Sequence, residues 1–254
     1  MSPKKIQQLT EKKYRKETGL FLVEGEKNIR EVLASDFMVI ELLGTRAFLN
    51  VIENEVLAYE AKIQDRIILT ETTEAELVRT GTFMSNSAGI AIVRQKEEPS
   101  LETALADAHT NIVLVLDDVR DPGNLGTIIR TADWYELTHI IASPTTVDFY
   151  NSKVITASMG SFTRLRVHYS DLTEVLTQAK AQNLSVLTAD MEGTSAHTAN
   201  LPKSGLLVMG SESHGVSNDA QKFATATLSI PRFGKAESLN VSVATGILLD
   251  CLHR

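Results

Sequence analysis

Cys251 is the only cysteine in the 254 residues. One thiol cannot close an internal disulfide, and it cannot build a zinc site on several thiolates. No apolar run reaches the roughly eighteen residues that a membrane helix needs. The leading MSPKKIQQLTEKKYRKETG lacks the apolar core of a secretory signal. A reducing cytoplasm, away from membranes, is the expected setting. Also missing are a G-x-x-x-x-G-K-[ST] loop for a nucleoside triphosphate, a G-x-G-x-x-G turn for a dinucleotide and a G-x-S-x-G elbow for acyl transfer. The six histidines show no metal-ligand spacing, so no metal is expected.

What remains is an ordinary globular composition, 43% hydrophobic and 22% charged, with a formal net charge of −7. An acidic chain is poorly suited to coating nucleic acid nonspecifically, because phosphate neutralisation needs clustered Lys and Arg. The first thirty residues run against that balance. They carry Lys4, Lys5, Lys12, Lys13, Arg15, Lys16, Lys27 and Arg30 against four acidic side chains. This basic segment reads either as a local phosphate contact or as a solvated, partly frayed terminus.

Short β-branched runs alternate with amphipathic stretches from end to end, which predicts an α/β protein. FLVEG (21–25), VIELLGT (39–45), RIILT (66–70) and GIAIVR (89–94) read as strands of a small first domain. The charged, proline-containing QKEEPSLETALADAH (95–109) interrupts the pattern. The expected division is a first domain over 1–96, a linker over 97–110 and a second domain over 111–254. The second domain restarts with NIVLVLDD (111–118), a pure apolar run suited to a buried parallel strand. Further strands are expected at 139–143, 165–169, 184–190, 205–210 and 226–230, with helices at 125–136, 171–183 and the end of the chain. Such alternation favours a mostly parallel sheet covered on both faces.

Ligands of open α/β sheets gather where strands end, so three loops matter most. DPGNLGTIIR (121–130) follows the first strand of the second domain, with Asn124 where an N-cap would sit and Arg130 in the second helical turn. Read alone, it is a capped helix with a surface arginine. MGSESHGVS (209–217) puts Glu212 between glycines, and such a carboxylate can orient a guanidinium. Alone, it is a strand-to-helix turn capped by Ser217, with His214 incidental. IPRFGKAESLNVSVATG (230–246) brings Ser238 and Asn240 to a helix N-terminus. Capping by Ser238 accounts for the serine and leaves Asn240 without a purpose.

In order and spacing, these loops resemble the three motifs of the SpoU (TrmH-type) RNA 2′-O-methyltransferases of the SPOUT superfamily. The matching stretches are Asn124 to Arg130, Gly210 to Gly215 and Ile230 to Ala244. KKYRKETGLFLVEGEKNIREVL and SNSAGIAIV are similar, more loosely, to the family's small ribosomal-protein-like substrate-binding domain. Ser152, Thr156 and Arg232 depart from the family pattern, the last two at positions that bear on the RNA more than on the reaction.

The resemblance implies a C-terminal trefoil-knotted α/β domain and a homodimer built largely through it. It implies S-adenosylmethionine as cofactor, gripped by backbone groups at Gly210, Ile230 and Leu239. Arg130 would be the central catalytic residue, oriented by Glu212. Asn124 would fix the loop and the ribose, and Ser238 and Asn240 would line the acceptor side. The expected activity is methylation of a ribose 2′-hydroxyl, with ribosomal RNA favoured over tRNA as partner. The alternatives are a tRNA ribose methyltransferase, a base-modifying relative, or a catalytically silent knotted RNA-binding protein.

Overall fold

Among the described residues, ten strands form where the short apolar runs stand, and they assemble into two separate sheets. In chain order they are β1 (Leu20–Glu24), β2 (Val39–Gly44), β3 (Ile68–Glu71), β4 (Gly89–Arg94), β5 (Ile112–Asp117), β6 (His139–Ala142), β7 (Arg166–Tyr169), β8 (Val186–Ser195), β9 (Gly205–Gly210) and β10 (Ala226–Ser229). The computed structural model describes residues 1–211 and 213–254. These residues divide into one unit of Met1–Glu97 with Asp148–Thr163 and another of Glu98–Val147 with Arg164–Arg254. Among the described residues no helix is long and apolar enough to cross a membrane.

The first unit holds the sheet β1-β4-β2-β3, antiparallel except for the β2–β3 pair. Its leading segment is not frayed. Helices Pro3–Gln8 and Lys12–Thr18 anchor through Ile6 and Leu9, which are buried against Leu22, Leu43, Leu77, Ile90 and Ile92. Arg15, counted above among basic side chains available to phosphate, is only 2% exposed. Its Nε donates to Asp148 at 3.0 Å, and its Nη1 donates to the carbonyls of Leu9 and Thr10 at 3.0 and 2.8 Å. Removing one member of such a buried pair typically costs about 3–5 kcal/mol. Arg15 is therefore a structural residue. It ties the segment 148–163 to the leading helices, beside an aromatic cluster of Phe21, Phe37, Tyr150 and Phe162.

The second unit holds the sheet β10-β8-β9-β5-β6-β7, and every adjacent pair in it is parallel. β5 is buried along its whole length, as its unbroken apolar run predicts. Helix Leu101–Asp107 lies in the segment expected as a linker, and it contributes Ala104 and Leu105 to this unit's core. Strand β8 runs five residues further than its apolar stretch. The added residues pair with β10 after a register shift at Thr227/Leu228. Gly193 makes room for that pairing, since a Cβ there would stand 2.6 Å from the Thr227 carbonyl oxygen.

On the adjacent strands β6 and β7, His139 and the buried His168 are hydrogen-bonded to one another. His168 Nδ1 lies 3.0 Å from the Pro99 carbonyl and so carries its proton there. That leaves His168 Nε2 to accept from His139 Nδ1 at 2.8 Å. Burial, and then the neighbouring His139, push the His168 pKa down to about 4. The unfolded chain therefore takes up a proton near pH 6.5, which the folded chain refuses until near pH 4. Stability must fall as pH drops through that window, at up to about 1.4 kcal/mol per pH unit from this group. Denaturant titrations of His168→Gln between pH 7 and pH 4 are expected to show a flatter dependence than those of the unaltered protein. An equal slope would contradict the assignment.

Candidate functional site

Parallel strands point their carboxyl ends the same way, so the loops after β5, β9 and β10 emerge at one edge of the second unit. Pro122 stands in the first turn of helix Pro122–Trp134, and the cap is Asp121, whose side chain accepts from the Asn124 N–H at 2.8 Å. The sequence reading placed Asn124 at the cap. Proline's fixed φ instead begins the helix earlier and leaves the Asn124 side chain for other work. A similar correction applies to the last helix, Val241–Leu252. Its cap is Asn240 rather than Ser238, with Asn240 Oδ1 accepting from the Ser242 N–H at 2.9 Å and the Ser242 hydroxyl at 2.6 Å. The Asn240 amide then donates to Asn124 Oδ1 at 2.9 Å. Two side chains 116 positions apart are thus joined directly.

The turn after β9 is very tight. Ser211 and Gly215 exchange two backbone hydrogen bonds of 3.1 and 2.9 Å. A Cβ on Gly210 would overlap the Gly215 carbonyl, so only glycine fits. Ser217 caps the next helix, as the sequence suggests, and its N–H donates to the buried Asp117 at 2.9 Å, pinning this loop to the end of β5. His214 is exposed, and its N–H donates to Ser211 Oγ at 3.3 Å. Nearby, the Arg120 guanidinium hydrogen-bonds Asp118 and holds its carboxyl below the ordinary value. Glu212 lies outside the described residues.

Between these loops lies a cavity of about 440 Å³. Gly210, Ile230, Ser238 and Leu239 all border it, and Met209, Leu228, Val241, Ala244 and Leu248 give it an apolar floor. The backbone N–H and C=O groups of Ile230 and Leu239 bond to no other described residue. A space of this size, apolar with unspent backbone donors and acceptors at its edge, fits a nucleoside thioether or sulfonium. The sequence reading missed Ala189, Asp190 and Met191, midway along β8, and Phe233 on the third loop, which also border the cavity. A clue was readable, because the strand expected over 184–190 is parallel and ends among these residues.

Arg130 is not brought to this cavity within one chain. It is exposed on helix Pro122–Trp134 and forms no hydrogen bond or ion pair with another described residue. Trp134, one turn further along the same face, is 82% exposed. Asn124 and Asn240 stand together, whereas Arg130 neither borders the cavity nor hydrogen-bonds either asparagine. Among the described residues no cluster of His, Cys, Asp and Glu could hold a metal ion.

Comparison with known proteins gives consistent results. Residues 111–250 match the SpoU rRNA methylase family, and residues 3–87 match the MRM3-like substrate binding domain. The chain is 32% identical to the 23S rRNA (guanosine(2553)-2′-O)-methyltransferase RlmP of Bacillus subtilis, over 94% of this chain and 90% of that protein. A solved structure of a TrmH-family RNA methyltransferase from Porphyromonas gingivalis superposes with a TM-score of 0.84 and 31% identity, covering 98% of this chain and 96% of that one. An AdoMet-bound rRNA methyltransferase from Sinorhizobium meliloti superposes with a TM-score of 0.83 and 28% identity, covering 99% and 93%.

Gly210→Ala tests the cavity. The variant is expected to remain folded by circular dichroism. Its calorimetric affinity for S-adenosylmethionine, the ligand the sequence implies, should fall at least roughly tenfold. Unchanged affinity would show that the tight turn does not shape the binding space.

Proposed function

The chain belongs to the SpoU rRNA methylase family and is an S-adenosylmethionine-dependent ribosomal RNA ribose 2′-O-methyltransferase; we propose that it works through a donor cavity bounded by Gly210, Ile230 and Leu239 and an acceptor side formed by Asn124, Arg130, Glu212, Ser238 and Asn240. The observation that carries this division is the joining of the three strand-end loops. One cavity takes residues from the second and third loops, and the Asn240–Asn124 hydrogen bond ties the third to the first.

S-adenosylmethionine supplies an electrophilic methyl group on a sulfur that leaves neutral, so the leaving group needs little help. The chain's task is the nucleophile. A ribose hydroxyl is almost wholly protonated at neutral pH, so it must be held in line and its proton managed. Positioning of this kind contributes on the order of 7–11 kcal/mol to such barriers. Asn124, held from behind by Asn240, keeps a preset geometry beside the cavity and binds the ribose. Arg130 is a permanent cation with donors and no acceptor, so it does not serve as the base. It binds the phosphate next to the target and draws electron density from the hydroxyl. Glu212 orients that guanidinium, and Ser238 offers its hydroxyl from the cavity wall.

Arg130 meets neither the cavity nor the asparagines of its own chain, and it shares a helix face with an exposed tryptophan. A second copy docking on this face would bury Trp134 and carry Arg130 into the partner's site, so the working form is a homodimer. The third loop and the last helix would complete the trefoil knot that the family resemblance implies. Residues 1–96 form the RNA-binding domain, joined through 97–110 to the methyltransferase domain of 111–254. Lys4, Lys5, Lys12, Lys13 and Lys16 are exposed on the first unit's leading helices and supply its phosphate contacts. The reaction belongs in the cytoplasm, where the lone thiol of Cys251 stays reduced.

Arg130→Ala is expected to lower turnover on unmodified ribosomal RNA by roughly a hundredfold or more. Calorimetric affinity for S-adenosylmethionine should hold within about twofold, a small fraction of the 1.4 kcal/mol that marks a tenfold change. Near-normal turnover would remove Arg130 from the mechanism.

A further inference from the structure

The loop from Pro231 to Leu239 has features that holding a methyl donor does not explain. Phe233 is 94% exposed, so almost all of its ring lies in water. A single exposed ring is ordinary in itself. This one stands on the rim of the donor cavity with Met191, 68% exposed, and Leu239, 48% exposed. Arg232 and Lys235 flank it, both exposed, on a chain whose net charge is −7. The Arg232 guanidinium donates to the Ala236 carbonyl at 3.5 Å, which keeps its charge over the loop. Glu237 is the loop's one carboxylate. Gly234 beside the ring has open space around its α-carbon, so the segment is unconfined.

We propose that Phe233, between Arg232 and Lys235, is the platform on which an unpaired base of the RNA substrate stacks, beside the ribose that receives the methyl group. The inference rests on the ribose methyltransferase reading and adds to it the residue that seats the nucleotide. The charges decide between the two molecules that meet here. The sulfonium centre gains nothing from Arg232 and Lys235, and the donor's single carboxylate cannot account for a cation on each side of the ring. A polynucleotide gains a phosphate contact on either side of the stacked base. Unpaired bases are commonly held on aromatic faces and guanidinium planes, and every base offers such a face. The ring is also placed for the task, since it borders the cavity that would hold the reacting methyl group.

The test uses the full chain, an unmodified large-subunit ribosomal RNA transcript and Phe233→Ala, Phe233→Leu and Phe233→Trp. Removing the ring is expected to raise the RNA KM roughly tenfold, and to weaken filter binding of the same transcript with S-adenosylhomocysteine present. Calorimetric affinity for S-adenosylmethionine alone should stay within about twofold. Tryptophan should restore both RNA measurements and leucine should not, because stacking needs a π face and not merely apolar bulk. Arg232→Ala should shallow the salt dependence of RNA binding by about one unit of slope. Unchanged RNA affinity in Phe233→Ala would overturn the proposal, as would full rescue by leucine. Loss of S-adenosylmethionine binding without RNA would overturn it too, making the ring a cover for the cofactor. If the unaltered protein fails to methylate the transcript, the assigned reaction is at fault, and filter binding still judges the loop.

Discussion

The hydrogen bond from Asn240 to Asn124 forms only because β10, β8, β9 and β5 lie side by side and run the same way. A parallel ladder delivers every carboxyl end to one edge, and each loop that leaves that edge is brought near its neighbours. The buried faces of β5 and β9 hold the ladder in register through Val113, Val115, Leu206 and Val208, packed with Val175, Leu176 and Ala179 of the neighbouring helix. Burial of this kind is worth roughly 1.5–3 kcal/mol per large aliphatic side chain. The apolar floor of the cavity is a continuation of the same constraint, because Met209 and Leu228 are the last buried apolar residues of β9 and β10.

The strands were legible because each is a short apolar run bounded by turn residues. β5 was the plainest, since its five-residue apolar run without a polar break suits a strand buried on both faces. The outer half of β8 was not legible. MEGTS has no apolar periodicity, and it becomes strand because β10 offers a partner across a shifted register. The capping residues were misplaced for a local reason. Asp121 and Asn124, and likewise Ser238 and Asn240, are all good caps, and propensity alone does not choose between two of them three residues apart or fewer. The choice fell to Pro122 in one case and to the Asn240–Asn124 contact in the other, and that contact is set by the sheet. Arg15 was read by its charge. Its burial depends on Asp148, which stands 133 positions away.

For the candidate site, residue identity was readable and arrangement was not. Gly210 on one loop and Ile230, Ser238 and Leu239 on the next border one cavity. Arg130 was singled out by the same motifs, yet its own chain leaves it on an open helix face. In the proposed scheme the donor and acceptor halves of the chemistry belong to different copies. The dimer is then part of the catalyst rather than an accessory to it. The acidic overall charge is compatible with an RNA substrate for a related reason. In the proposed scheme the phosphates meet the lysines of the leading helices and the cations around Phe233, so contacts can form locally on a chain that is acidic overall.

The position of the methyl donor is the most direct measure of this arrangement. A crystal structure of the protein with S-adenosylhomocysteine would locate it. The expected result is the thioether in the cavity bordered by Gly210, Ile230 and Leu239, with the Asn240–Asn124 hydrogen bond intact. A ligand bound at any other place, with that cavity still empty, would contradict it.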